Sequence, residues 1–208
     1  MGKLWTRVRT LFGAATKGSE MKPVPWGLVR LPRGGLRLVG GFLLDVRPVT
    51  NADYADFIVA TGATRPPWIH RPGFGEPEQP VVGITLREAG RFARWAGKRL
   101  PTPAEWVRAG SGTDKRTYPW GDDQPCAGRA HFGSGPSGRP SPVEDVASRR
   151  AEGRGPFGHF DLVGNVWEWC TDGAARGGFW GSQSLGIDAL LEAQADTVSG
   201  GIGFRCAR

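Results

Sequence analysis

"GNVWEWCTDGAARGGFWGSQSLGIDALLEAQADTVSGGIGFRCAR", residues 164–208, has two characters. Its ends are crowded with Trp, Gly and Cys. Its middle, from Gly177 to Phe204, carries no Lys or Arg, although the whole chain has 27 of them against 20 acids and a net charge of +7. In "WEW" Trp167 and Trp169 stand two residues apart, the spacing that shares one face of a strand, and core packing is the role expected of both.

Working outward, 208 residues suffice for one domain with a real core, or one domain with a short appendage. We expect one. Nine Trp and ten Phe supply large burial per residue, while 33 Gly and 17 Pro predict many turns and little regular structure. The basic residues are scattered and form no run interleaved with aromatics, which argues for a solvated surface rather than a specific nucleic-acid partner. Cys126, Cys170 and Cys206 cannot all pair, and none has CxxC spacing, so no disulfide framework or zinc site is expected. No apolar run reaches the roughly 18 residues of a transmembrane helix. Arg7 and Arg9 interrupt the N-terminal apolar residues, which predicts no secretory signal and a chain that is cytoplasmic when synthesised.

Residues 1–22 form a basic amphipathic segment with Leu4, Trp5, Val8, Leu11 and Phe12 on one helical face. It could lie on an anionic membrane, dock to a partner or pack on its own domain. The domain is expected over residues 23–208. Short strands are expected in "GLVRLP" (27–32), "GLRLVGGFLLDV" (35–46) and "RPVT" (47–50). Thr50 is the N-cap expected for a helix with Tyr54, Phe57 and Ile58 inward and Gly62 as its stop. Thr85 caps a second, with Ala89, Phe92, Ala93 and Ala96 as the inner stripe. Thr102 and Glu105 make a capping box for a third. Beyond Gly110 periodicity disappears until Phe157, a stretch too long for a plain connector and therefore expected to be held by ions, aromatics or function.

"DVRPVTNADYADFI" (45–58), "KRLPTPAEW" (98–106), "GNVWEWC" (164–170), "RGGFW" (176–180) and "GFRCAR" (203–208), in that order, resemble the formylglycine-generating enzyme (sulfatase-modifying factor) family. The resemblance spans roughly residues 24–208 and implies an α+β, loop-rich variant of the C-type lectin fold, with short antiparallel strands and two or three helices. The family's enzymes use a cysteine pair just after the position of "RGGFW", where this chain reads "GSQSLGID" (181–188). That chemistry needs a thiolate. We therefore expect no catalytic residues, no redox cofactor and no oxidase activity. Cys170 and Cys206 match scaffold positions, and Ala93 stands where Cys206 would find its partner. His70, His131 and His159 lack ligand spacing for the iron site of related sulfoxide synthases.

The chain also resembles the variable proteins of diversity-generating retroelements, which set a diversified segment between "RGGSW"-like and "IGFR"-like borders on the same fold. This resemblance implies a non-catalytic binding protein whose ligand, a protein or other macromolecule, meets residues 179–201. The expected contact residues are Phe179, Trp180, Gly181, Ser182, Ser184, Leu185, Gly186, Asp188 and Leu190. From Phe179 to Gly201, all residues except Trp180, Gln183, Glu192 and Gln194 have codons reachable from an Asn codon by adenine replacement. Against this stands an ordinary reading: Ile187, Leu190, Leu191 and Ala195 have helical spacing and could form a buried helix. An enzyme using other residues, or a sensor or effector module, are the alternative functions.

The resemblance further implies a structural Ca2+ held by the side chains of Asp161 and Glu168 and the carbonyls of Gly164 and Val166. Hard carboxylate oxygens and inward carbonyls suit that ion. The ion-free alternative has Glu168 accepting protein hydrogen bonds. Asn165 is expected to hold its loop through side-chain to backbone bonds.

Overall fold

The computed structural model describes residues 18–31, 34–114, 116–135, 138–141 and 151–208. The expected amphipathic helix at the N-terminus therefore lies almost wholly outside the described residues. Four strands open the fold: β1 (Met21–Val24), β2 (Gly27–Leu31), β3 (Gly34–Val39) and β4 (Phe42–Asp45). The pair β2–β3 is a hairpin nested inside the antiparallel pair β1–β4. The run expected to be one strand over 35–46 is divided at Gly40–Gly41, and its halves pair with different partners. "RPVT" is not a strand; Thr50 makes only a single bridge to Pro80 before it caps a helix.

Helices α1 (Asn51–Thr61), α2 (Leu86–Trp95) and α3 (Pro103–Ser111) begin on the three expected threonines. Each threonine hydroxyl accepts from the amide three residues on, and an acid at that position, Asp53, Glu88 or Glu105, accepts from the threonine amide in return. Two of the amides that a helix start leaves unpaired are thus satisfied each time. Gly62 ends α1 in the left-handed region at φ 69°. Ala96 is the C-cap of α2 and packs half-buried against the same core as the stripe of Ala89, Phe92 and Ala93.

After α3, the described residues hold no helix or strand until β5 apart from a 3₁₀ turn at Ala151–Gly153. Ions and aromatics hold this stretch, as its length required: Arg116 grips Asp114 at 2.6 Å, Thr117 donates twice to Asp122, and Tyr118 stacks on Trp120 at 5.2 Å. A four-stranded sheet follows, in the order β7 (Leu190–Glu192), β6 (Ala174–Arg176), β5 (Trp167–Trp169) and β8 (Ile202–Gly203), with only the β5–β8 pair parallel. The chain is α+β, as the sequence implied.

Two cores result. Tyr54, Phe57 and Phe92 from α1 and α2 pack with Phe204 and Trp169. Tyr54 and Phe92 stack at 5.6 Å, and Phe204 meets the Phe92 ring edge-on at 5.4 Å. Trp106 from α3 centres the second core, with Val24, Leu44, Cys170, Ile187 and Ala207. Each closes on the C-terminal strand region.

Candidate functional site

Three of the most distinctive sequence motifs meet in one buried node. Both oxygens of Glu168 are gripped by Arg205: Nε reaches Oε2 and Nη2 reaches Oε1, each at 2.7 Å. Trp106 Nε1 donates to Oε2 at 2.9 Å. Arg205 places its other N–H groups on the carbonyls of Phe160 at 2.7 Å, Asp45 at 3.2 Å and Val46 at 3.4 Å. All three side chains are fully buried. A planar guanidinium matches a carboxylate in this two-pronged way, and its remaining donors are satisfied, which a buried charge requires.

This arrangement bears directly on the expected calcium site. Glu168 carries three protein donors on its two oxygens, so a Ca2+ held by Asp161, Gly164, Val166 and Glu168 would compete with Arg205 and Trp106 for this carboxylate. Among the described residues no group of three or more His, Cys, Asp or Glu is arranged to hold a metal. The loop is instead organised by hydrogen bonds. Asp161 and Asn165 both adopt positive φ, at 53° and 60°. Asn165 Nδ2 donates to Asp161 Oδ2 and to the Ser141 carbonyl, each at 3.2 Å, and Oδ1 accepts from the Ser141 amide at 3.0 Å. Gly164, at φ 85°, is required here, since a Cβ would stand 2.7 Å from the His131 carbonyl oxygen. Asn165 thus plays the loop-holding part expected of it.

The segment 177–201 contains no helix, so the spacing of Ile187, Leu190, Leu191 and Ala195 does not mark one. Its main chain is tied to the scaffold along its length. Gly133 donates to the Ser182 carbonyl at 3.0 Å, Ser134 to Trp180 at 2.8 Å, Leu86 to Ala195 at 3.0 Å and Gly83 to Ser199 at 2.9 Å. β7 adds a ladder against β6. The frame closes where Trp167 donates to the Gly201 carbonyl at 2.8 Å.

The expected contact residues do not form one surface. Trp180 and Gly186 are buried; Trp180 packs edge-on to Phe74 at 6.4 Å. Phe179 is half-buried, stacked on Trp167 at 6.4 Å and edge-on to Trp180 at 4.9 Å. Ser182 Oγ accepts from the Phe179 amide at 3.1 Å, stabilising the turn that also contains Gly181. Leu185 is half-buried against the second core, and Leu190 lies half-buried in β7. Ser184 and Asp188 are exposed, and so are Gln183, Glu192, Gln194, Ala195, Asp196 and Val198, which the sequence reading left outside the contact set. A groove of about 400 Å³ runs beside β6 and β7, lined in part by Asp172, Arg176, Asp188, Leu190 and Glu192. Arg176 is held by both oxygens of Asp172, at 3.0 and 2.8 Å. The signal that could have found the exposed set is the acid and amide content of 183–198, because an apolar residue in a short segment packs more readily than a charged one.

Two of the three thiols are placed as scaffold, while Cys126 is exposed. Cys170 and Cys206 are buried and unbridged, and burial pushes the Cys170 thiol up to about 12 and that of Cys206 well above its ordinary range. Cys206 sits in the same core as Ala93. His70 is exposed, and His131 Nε2 lies 2.8 Å from the Arg139 carbonyl.

His159 is fully buried, 3.3 Å from the Leu44 carbonyl, and burial first, then the Arg205 charge, lowers its pKa to about 4. A histidine neutral in the native state and protonated in the unfolded chain gives stability that is complete above about pH 6.5 and lost as pH falls towards 4. The expected loss over that window is up to about 3 kcal/mol. Asp45, whose carboxyl burial raises to about 6 despite Lys98 at 2.6 Å, acts in the opposite sense. The contribution is therefore read as the difference in urea-unfolding free energy between the protein and His159→Gln from pH 7 to 4. A difference independent of pH would refute it.

Comparison with known proteins places this geometry. Residues 6–208 match the model of the sulfatase-modifying factor enzyme 1-like domain. A formylglycine-generating enzyme of Streptomyces coelicolor is 30 % identical over 302 aligned positions, covering 93 % of this chain and 95 % of that one. Among solved structures, PvdO from Pseudomonas aeruginosa superposes with a TM-score of 0.71 at 23 % identity, covering 91 % of this chain and 94 % of its own. Treponema denticola variable protein 1 superposes at 0.66 and 18 % identity, covering 90 % and 94 %. The fold is the C-type lectin-like one that the sequence implied, and it is shared with a variable protein.

Proposed function

The chain belongs to the sulfatase-modifying factor enzyme 1-like family, and from that premise we propose that it is a non-catalytic, ligand-binding member that displays residues of 179–201 as a variable protein does. One observation carries the reading. The segment's path is fixed by main-chain hydrogen bonds to residues 83, 86, 133 and 134 and by the β6–β7 ladder, bonds that do not run through its outward side chains. A loop held in that way tolerates exchange of its outward residues. Within the expected range, the contact set is centred on Ser184, Asp188 and Leu190, extended by Gln183, Glu192 and Val198. The ligand is a macromolecule, and three acids without a base in the segment favour one with a basic surface.

The buried thiols support the absence of oxidase chemistry, because the thiolate is the reactive form and burial disfavours it. A Cys-containing sulfatase-type peptide incubated with the protein, oxygen and copper is expected to gain no aldehyde. Protein-dependent formylglycine, read by mass spectrometry, would return the chain to the enzymes. The retroelement assignment has a separate test in the DNA. A near-copy of the sequence encoding residues 179–204, differing only at adenines and lying beside a reverse-transcriptase gene, is the expected finding, and its absence would remove that assignment.

A further inference from the structure

The β2–β3 hairpin carries an apolar face that nothing in the described chain covers. Val29 and Val39 point inward, buried against Trp106 and Val107 of α3. On the other face Leu28 stands opposite Leu38, and Arg30 opposite Leu36. Trp26 precedes this row in the same alternation. Trp26, Leu28, Leu36 and Leu38 are 72 %, 57 %, 52 % and 69 % exposed. Four large apolar side chains gathered on one ladder differ from the scattered exposed leucines that any surface carries. The hairpin is also braced: Arg108 of α3, itself buried, donates to the carbonyls of Pro25 at 3.3 Å and Trp26 at 3.2 Å.

Along the strands of the hairpin the charge has one sign, with Asp188 the acid that lines the adjoining cavity. From Met21 to Leu44 the sequence contains Lys22, Arg30, Arg33 and Arg37 and no acid. A second copy docking through the same face would set these cations against one another. The chain's own N-terminal segment, with Lys3, Arg7 and Arg9, would do the same. The complement is an anionic surface that also accepts hydrocarbon. Leucines enter the acyl region, an indole with its N–H settles at the interface, and arginine stems extend so that the guanidinium stays at the phosphates.

We propose that the outer face of the β2–β3 hairpin, formed by Trp26, Leu28, Arg30, Leu36 and Leu38, docks on an anionic lipid bilayer. This contact is peripheral, since no helix among the described residues is long and apolar enough to cross a membrane. It borders the ligand segment proposed above, since Asp188 lines a cavity with Leu28, Arg30 and Leu36, but it rests on other residues and stands or falls without that segment. A protein partner with an acidic surface is the competing occupant. It is disfavoured because the row offers almost no hydrogen-bonding groups beyond Arg30 and the Trp26 indole, whereas specific protein interfaces carry many.

Full-length protein is sedimented with vesicles of phosphatidylcholine, with and without phosphatidylglycerol. Binding to the anionic vesicles is expected, weakening with salt. The triple variant Trp26→Ser, Leu28→Ser, Leu38→Ser is expected to lose at least about tenfold in partition coefficient. Arg30→Gln with Arg37→Gln, which leaves the apolar row intact and guards against misfolding of the triple variant, should lose the preference for anionic vesicles. Equal binding by the protein and both variants would assign membrane contact elsewhere, to residues 1–17, and overturn the proposal. No binding by the unaltered protein would overturn it too. So would a dimer that the triple substitution dissolves in size-exclusion chromatography, or retention on immobilised polyglutamate without vesicle binding.

Discussion

Replacing Glu168 by Gln should lower stability by about 3 to 5 kcal/mol, on the order of 10 °C in melting temperature for a domain of this size. The change is nearly isosteric, so the loss comes from charge. Arg205 stays buried with its guanidinium facing an amide that accepts through one oxygen only, where two carboxylate oxygens had each been reached at 2.7 Å. Removing both partners in Glu168→Gln, Arg205→Met should cost less than the sum of the two single losses, because neither charge is then stranded. A double-mutant cycle by urea unfolding measures this. The same protein decides the calcium question: with Arg205 as the partner, a chelator leaves the melting temperature unchanged. A fall of several degrees on chelation, abolished in Glu168→Gln, would instead show that an ion holds this carboxylate and displaces Arg205.

Trp169→Ala should cost a similar amount, about 3 to 5 kcal/mol, through the cavity left between α1, α2 and the sheet. It would also strand the Ile84 carbonyl, to which Trp169 Nε1 now donates at 2.7 Å. Its neighbour two residues earlier behaves differently. Trp167 is only half-buried against Phe179, so Trp167→Ala should cost distinctly less, although the two residues read alike in the sequence. At the other extreme, Ser184→Ala, Asp188→Asn and Val198→Ser should each stay within about 0.5 kcal/mol, as exposed positions do. Thermal melts of the set would contradict the display reading if the exposed changes destabilised the domain as badly as Trp169→Ala.

The three helix starts were legible because their signal is local. Thr50, Thr85 and Thr102 each stand three residues before an acid, and a capping box needs nothing beyond that turn. The fold was legible through ordered motifs. What those motifs do was not, because Glu168, Arg205 and Trp106 are joined by contacts 37 and 62 residues apart, and spacing does not announce such pairing. A carboxylate in a glycine loop reads as an ion ligand, and nothing in its spacing shows that Arg205 and Trp106 reach it as well. The expected contact set narrows for a related reason. Leu185, Trp180 and Phe179 look like recognition residues in isolation, but Phe74, Trp167 and the second core take them up. The hairpin face was unreadable as well, since alternation in β2 and β3 shows two faces and does not say which one α3 covers.

The last residues have a consequence for how the protein is made. Leu43 and Arg208 exchange two backbone hydrogen bonds at 2.8 Å, Ala207 and Arg99 exchange two at 2.9 and 2.7 Å, and the Cys206 amide bonds to Asp45 across 161 residues of sequence. A nascent chain can form the early hairpins and α1 to α3 as they leave the ribosome. It cannot cover Tyr54, Phe92 or Trp106 until residues 202–208 have emerged as well. Until then a half-built aromatic core faces solvent beside unpaired strand edges, the condition in which partly folded chains associate. Closure over such separations is slow because its entropy cost precedes its contacts. Folding of this domain therefore completes only once residues 202–208 are available, and until then its yield depends on how well the exposed aromatic core is shielded.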